Sequence, residues 1–210
     1  ALIMNGVLYA VAPAGLTTFD IPMGVTKIGG TAFWYCDNFT TITIPNSVKT
    51  IGYNAFNSCS SLTDITIPDS VTKIEVYAFW GCSKLADLEM LEGVTYIGSL
   101  AFIGCDSLTS VTIPNSVVTI DTNPFDSCNK LVEFKGKYAT ADGLCLIVGD
   151  VVKSYAAGNA NTEYIIPDGV KVIGDYAFYN CDNLASVTIP ASVTRVDNWA
   201  FGGSYKLSNV

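Results

Sequence analysis

Apolar and polar residues along this chain follow a phrase that returns every 23 residues. It reads Leu-x-x-Ile-x-Ile-Pro-x-Ser/Gly-Val-x-x-Ile-Gly-x-x-Ala-Phe-x-x-Cys-x-x, and its seven copies start at Leu16, Phe39, Leu62, Leu85, Leu108, Asn161 and Leu184. In the copy from Leu62 to Lys84, Ile65 and Ile67 alternate with polar Asp64 and Thr66, the period-two pattern of a short strand with one buried face. Pro68 ends that strand because it has no N–H for a ladder. Asp69-Ser70 supply turn residues, and Val71 and Ile74 point inward on the way round. Ala78-Phe79 with Cys82 then predict a single closing helical or 3-10 turn.

A fixed period of this length predicts a solenoid of stacked units. One unit buries too few side chains to offset the entropy of ordering its backbone, so neighbours must cover both open faces. Ile-Pro recurs in every copy but the fourth, where Met90-Leu91 takes its place, and Ala-Phe in every copy but the fifth, where Pro124-Phe125 does. The phenylalanine is present in all seven copies, which predicts a phenylalanine stack down the whole coil.

The period fails once. Leu131 and Asn161 are 30 residues apart, seven more than a repeat. Within this stretch, Leu144 to Val148 and Val151 to Tyr155 flank Gly149-Asp150, the pattern of a β-hairpin. Asn5-Gly6-Val7-Leu8-Tyr9 resembles Asp142-Gly143-Leu144-Cys145-Leu146, and Ala12-Pro13-Ala14-Gly15 resembles Tyr155-Ala156-Ala157-Gly158, so a longer superrepeat is expected. The organisation expected is a partial hairpin or irregular unit at 1–15, five repeats at 16–130 and an irregular unit with a hairpin at 131–160. Two repeats at 161–206 and the start of a further repeat at 207–210 follow. Both ends fall inside the pattern, as expected for a piece of a longer array.

Leu62-Thr-Asp-Ile-Thr-Ile-Pro-Asp-Ser-Val-Thr-Lys-Ile74 and Tyr77-Ala-Phe-Trp-Gly-Cys82 resemble the BspA-type leucine-rich repeats of surface proteins from gut and oral bacteria and some parasitic protists. The resemblance covers about residues 16–210, and the hairpin unit is a known kind of interruption within it. It implies an α/β-type repeat solenoid, mostly short β-strands with short helical or 3-10 turns, wound as a right-handed leucine-rich-repeat superhelix. It also implies cell-surface display and adhesion, and carries no transferable binding residues.

Composition narrows the chemistry. Half the residues are hydrophobic and 14% are charged, ample for a core. The net charge is −8 with no basic run, which argues against nucleic acid and anionic membranes as partners. No apolar run reaches the roughly 18 residues of a membrane-spanning helix, and Ala1 to Gly15 lack the pattern of a signal peptide. The absence of histidine removes Ser-His-Asp and Cys-His catalysis and His-liganded zinc. No catalytic residue, cofactor or metal is expected.

Cys36, Cys59, Cys82, Cys105, Cys128 and Cys181 hold one repeat position, Ser204 fills it in the last copy, and Cys145 lies in the hairpin unit. The wide spacing lacks the close pairs of a zinc site. Side chains in register point the same way, so the column reads as small buried hydrophobes, one per coil, and not as a disulfide chain.

Two surfaces are candidates for binding. On the strand face, Thr43, Thr66, Glu89 and Thr112 share one position, with Asp64 and Asp87 beside them. They read either as β-formers on a solvated face or as a flat, concave surface that accepts hydrogen bonds from a basic partner segment. Around Ala-Phe, Trp34, Tyr35, Tyr53, Tyr77, Trp80, Leu100 and Ile103 fall on neighbouring coils. They either pack on the adjacent coil or form an exposed apolar patch. Tyr176, Tyr179 and Trp199 make a smaller group, and Asn38-Phe39-Thr40 is a lone glycosylation sequon.

The function expected is a non-enzymatic extracellular or cell-surface module that binds a protein or glycan of a host or neighbouring cell. A stalk displaying another domain is the first alternative. The second is an enzyme using Asp64 with Asp87 or Asp87 with Glu89, on a surface too flat to exclude water.

Overall fold

The computed structural model describes all 210 residues and contains strands and turns only. It opens on an antiparallel hairpin, β1 (Leu2–Met4) and β2 (Val7–Ala10). Three coils follow, with β3 (Thr18–Asp20) and β4 (Lys27–Ile28), β5 (Thr41–Thr43) and β6 (Thr50–Ile51), and β7 (Asp64–Ile67) and β8 (Lys73–Ile74). Two more carry β9 (Asp87–Met90) and β10 (Tyr96–Ile97), then β11 (Ser110–Ile113) and β12 (Thr119–Ile120). β13 (Glu133–Gly136) leads into a second antiparallel hairpin, β14 (Cys145–Val148) and β15 (Val151–Tyr155). β16 (Glu163–Ile165), β17 (Val172–Ile173), β18 (Ser186–Thr188) and β19 (Arg195–Val196) complete the last two coils.

Stacking places like positions together, so strands of adjacent coils pair parallel and in register; Asp64 faces Asp87 and Ile74 faces Ile97. The first strand row divides into β3-β5-β7-β9, β11-β13 and β16-β18. The second builds β1-β2-β4-β6-β8-β10-β12 and resumes as β14-β15-β17-β19. Sequence periodicity gave Val71 to Ile74 only as an inward return. A two-residue strand is too short to show alternation, and it exists because its neighbours offer a ladder.

The closing corner corrects the expected helical or 3-10 turn. Alternate N–H groups turn back on their own coil, as Trp80 to Tyr77 O and Cys82 to Phe79 O (3.0 and 3.2 Å). The ones between reach the next coil, as Phe79 to Ala101 O and Gly81 to Ile103 O (2.7 and 2.8 Å). A helix keeps every N–H within its own segment and would leave the neighbour's carbonyls unpaired. Two left-handed residues per coil make the alternation possible, Tyr77 (φ 58°) and Gly81 (φ 70°) in the third copy and their equivalents elsewhere. Only Asn123 escapes at the first of these positions, because the following Pro124 excludes a helical conformation there.

The phenylalanine stack exists. Phe33, Phe56, Phe79, Phe102 and Phe125 lie at centroid spacings of 4.8–5.2 Å, each ring within 15° of the next. The hairpin unit interrupts it, and Tyr155 restarts it under Phe178 (5.0 Å) and Phe201 (5.1 Å further). The cysteines are buried free thiols, as expected, with an added role as donors. Cys59 Sγ donates to Phe33 O at 3.1 Å and Cys82 Sγ to Phe56 O at 3.2 Å. Ser204 Oγ does the same to Phe178 O at 2.8 Å, so the column selects a small donor and not merely a small hydrophobe. Burial raises the thiol pKa of Cys82, Cys105, Cys128, Cys145 and Cys181, and pushes Cys36 up to about 11. A thiol-reactive dye at pH 8 should therefore label almost nothing in the native protein and all seven cysteines in denaturant. Rapid native labelling of several would contradict a closed column.

The two hairpin units match each other in a register different from the one sequence similarity indicated. Gly6 O accepts from Thr26 N and Lys27 N, and Asp150 O accepts from Lys171 N and Val172 N. The turn Asn5-Gly6 is thus the counterpart of Gly149-Asp150, not of Asp142-Gly143. The buried side chains fall into two clusters that meet at this second hairpin, one spanning Leu8 to Ala156 and one Cys145 to Ala200. Across the seam, Asn123 Nδ2 donates to Tyr176 O at 2.7 Å and Asn180 Nδ2 to Ser127 Oγ at 3.4 Å. No helix of the protein is long and apolar enough to cross a membrane.

Candidate binding surfaces

Side chains at and beside the left-handed corner differ in exposure. Trp34 is 56% exposed, Tyr35 64%, Tyr53 49% and Trp80 44%, whereas Tyr77, Leu100 and Ile103 are half-buried. The first four stand free of the core and the other three pack against neighbours. Tyr77 bridges its group, with centroids 6.0 Å from Tyr53 and 5.2 Å from Trp80. Trp34 and Tyr35 form a separate pair at 5.1 Å. Between the two tryptophan positions sits Asn57, which is buried. Its amide donates to Asn54 Oδ1 (3.2 Å) and accepts from Ser58 Oγ (2.7 Å). Sequence reasoning passed over this amide, though Asn54, Asn57 and Ser58 cluster visibly in the second copy. At the other end of the chain Tyr176 and Tyr179 meet edge-on at 5.4 Å, and Trp199 is exposed.

The strand face is not flat. Thr43, Thr66, Glu89, Thr112 and Asp87 are exposed and Asp64 is half-buried, as alternation requires. Yet the ladder stops between β9 and β11, although β7 pairs β9 and β11 pairs β13 over four residues each. A cleft of about 510 Å³ opens there. Its origin lies in the fourth copy. Leu91 replaces proline and so has an N–H, which donates to Ile67 O at 3.0 Å. Gly93 occupies the Ser/Gly position and, unlike Gly24 and Gly169 there, lies so close to Asp69 that a Cβ would stand 1.8 Å from its carbonyl oxygen. Both contacts tie the fourth coil to the third. Glu92 then joins the fifth coil through its side chain, accepting from Asn115 N (3.0 Å) and Ser116 N (2.9 Å). The Asn115 and Ser116 N–H groups hold its carboxyl below the usual value.

Comparison with known proteins bears on this geometry. The BspA type leucine rich repeat region matches in six copies, over residues 9–132 and 152–210. No curated protein matches the chain. A leucine-rich repeat protein from Eubacterium ventriosum is 26% identical over 88% of this chain at a TM-score of 0.75; the chain spans 50% of that protein's length. A leucine rich cell surface protein from Faecalibacterium prausnitzii is 33% identical over 92% of the chain and 60% of its own, at 0.67. The pneumococcal vaccine antigen PcpA shares the fold at a TM-score of 0.80 over 96% of this chain and 53% of its own, with 22% identity. Six matched repeats, stacked as parallel strand rows around two stacks of rings, make this chain a member of the BspA-type leucine-rich repeat family.

Proposed function

We propose that the chain is a cell-surface binding module whose adhesive surface is the aromatic corner of the first three coils, with an extracellular protein or glycan of a host or neighbouring cell as its ligand. The observation that carries this reading is the exposure of Trp34, Tyr35, Tyr53 and Trp80 beside a core that is complete without them. Large aromatic side chains left in water are favoured anchors for association. Membership of the repeat family and the likeness to a Faecalibacterium cell-surface protein support a surface location. Binding here is non-catalytic: the corner holds no paired acids and no nucleophile beside a base.

The test begins with arrays of extracellular matrix proteins and of glycans. For any ligand found, Trp34→Ala with Trp80→Ala should weaken binding by about tenfold or more while leaving the melting temperature within about 2 °C. Unchanged affinity would remove the corner from consideration.

A further inference from the structure

We propose that the break between β9 and β11 is a docking cleft for a basic, extended segment of a partner protein, a second site separate from the aromatic corner. Four observations carry this. First, the main-chain edges of both bordering strands have no ladder partner at the gap, and the strands stay too close for another strand to insert, so a partner chain lies across the gap and sends side chains into it.

Second, the floor is apolar. Leu88 is half-buried, whereas Ile42, Ile65, Val111 and Phe134, its equivalents on neighbouring coils, are buried. The gap therefore exposes a side chain that the adjoining coils cover; of its equivalents, only Phe19 in the first coil is also half-buried. Third, the wall on the β7–β9 side is acidic and uncompensated, and the β11 side adds the hydroxyls of Thr109, Ser110 and Thr112. Asp64 and Asp87 face each other in register, and Glu89 follows on the same face. Thr63 Oγ1 donates to Asp64 (2.8 Å) and Thr66 Oγ1 to Glu89 (3.2 Å), but every ion pair in the protein lies elsewhere. Like charges opposite one another in a sheet are destabilising, and a cation set between them relieves this. Fourth, no three of the acids converge as ligands for a metal ion.

An arginine or lysine side chain meets all of these features at once. Its methylene stem covers Leu88 and its head reaches the carboxylates. A neutral glycan meets fewer, because the cleft has no aromatic platform. The net charge of −8 draws such a segment in from a distance.

The experiment titrates the full chain with fluorescent acetyl-(Arg-Val)₄-amide and, separately, acetyl-(Glu-Val)₄-amide at low ionic strength. The arginine peptide should bind and the glutamate peptide should not. Asp87→Asn with Glu89→Gln should weaken binding about tenfold, whereas Glu163→Gln with Asp168→Asn, an equal change of charge outside the cleft, should change it less than about twofold. The Trp34→Ala, Trp80→Ala protein should bind the peptide unchanged, so failure at either site is visible apart from the other. Circular dichroism on each variant confirms folding. Equal losses in both acid-to-amide pairs, or no binding of the arginine peptide, would overturn the proposal.

Discussion

Replacing Phe79 with alanine is expected to cost about 3–5 kcal/mol of stability, the usual range for removing a fully buried aromatic side chain. Phe79 has no exposed surface and lies between Phe56 at 4.8 Å and Phe102 at 5.0 Å, nearly parallel to both. Truncation leaves a hole that neither neighbour can fill, because each ring is held by its own coil. The loss also falls between coils. Phe79 O accepts both Cys82 N and the Cys105 thiol, so a shift of the backbone into the hole disturbs the donor column as well. Phe201 provides the comparison: it is half-buried and stacks only on Phe178. Its alanine variant should lose about 1–2 kcal/mol. Urea unfolding followed by circular dichroism and by tryptophan fluorescence measures both, and the two probes together show whether a central break uncouples the halves of the array. Similar losses at both positions would mean that stacking continuity contributes little.

How far the molecule was legible beforehand depends on whether a feature repeats. Phe33 to Phe125 repeat at one spacing, so the stack could be read from the chain and is present. The corner could not. Tyr77 and Leu100 are bulky residues with positive φ (58° and 55°), a conformation that local preference disfavours. They adopt it because the next coil's carbonyls need donors, and that requirement belongs to the stack rather than to the local sequence. The hairpin register failed for a related reason. Asn5-Gly6 looks like Asp142-Gly143 as text, but which carbonyl meets Thr26 and Lys171 decides equivalence.

The strand face shows the reverse case. Met90-Leu91 was visible as the one departure from Ile-Pro, and its consequence was not. The opening between β9 and β11 lies beside an added N–H at Leu91, which bonds Ile67 O, and beside the close approach of Gly93 to Asp69. A repeat fixes its regular positions by averaging over many copies. In such an array the surface differs from one coil to the next only where a copy departs from the rest.

The seam at the second hairpin contains a further departure with a measurable consequence. Asp126 sits where other copies carry Trp34, Trp80 or Tyr179, yet it is buried at 5% exposure. Its only side-chain partner is the Ser127 hydroxyl at 3.4 Å. Burial pushes its carboxyl up from 3.8 to about 6, with Ser127 opposing more weakly. The folded chain therefore holds this proton more tightly than the unfolded chain does. The stabilisation is complete below pH ~4, declines as the pH rises toward ~6 and is absent above that. Asp126→Asn keeps the shape and removes the titration. Relative to the parent, the variant should gain about 2 kcal/mol between pH 4 and pH 7.4, ending more stable at neutral pH. Subtracting parent from variant at each pH cancels the other carboxylates, whose surroundings the substitution leaves alone. Urea midpoints at pH 4, 5, 6 and 7.4 provide the measurement. A difference that stays constant across that range would show that Asp126 is ionised in the folded chain, and that the seam between the two core clusters admits water.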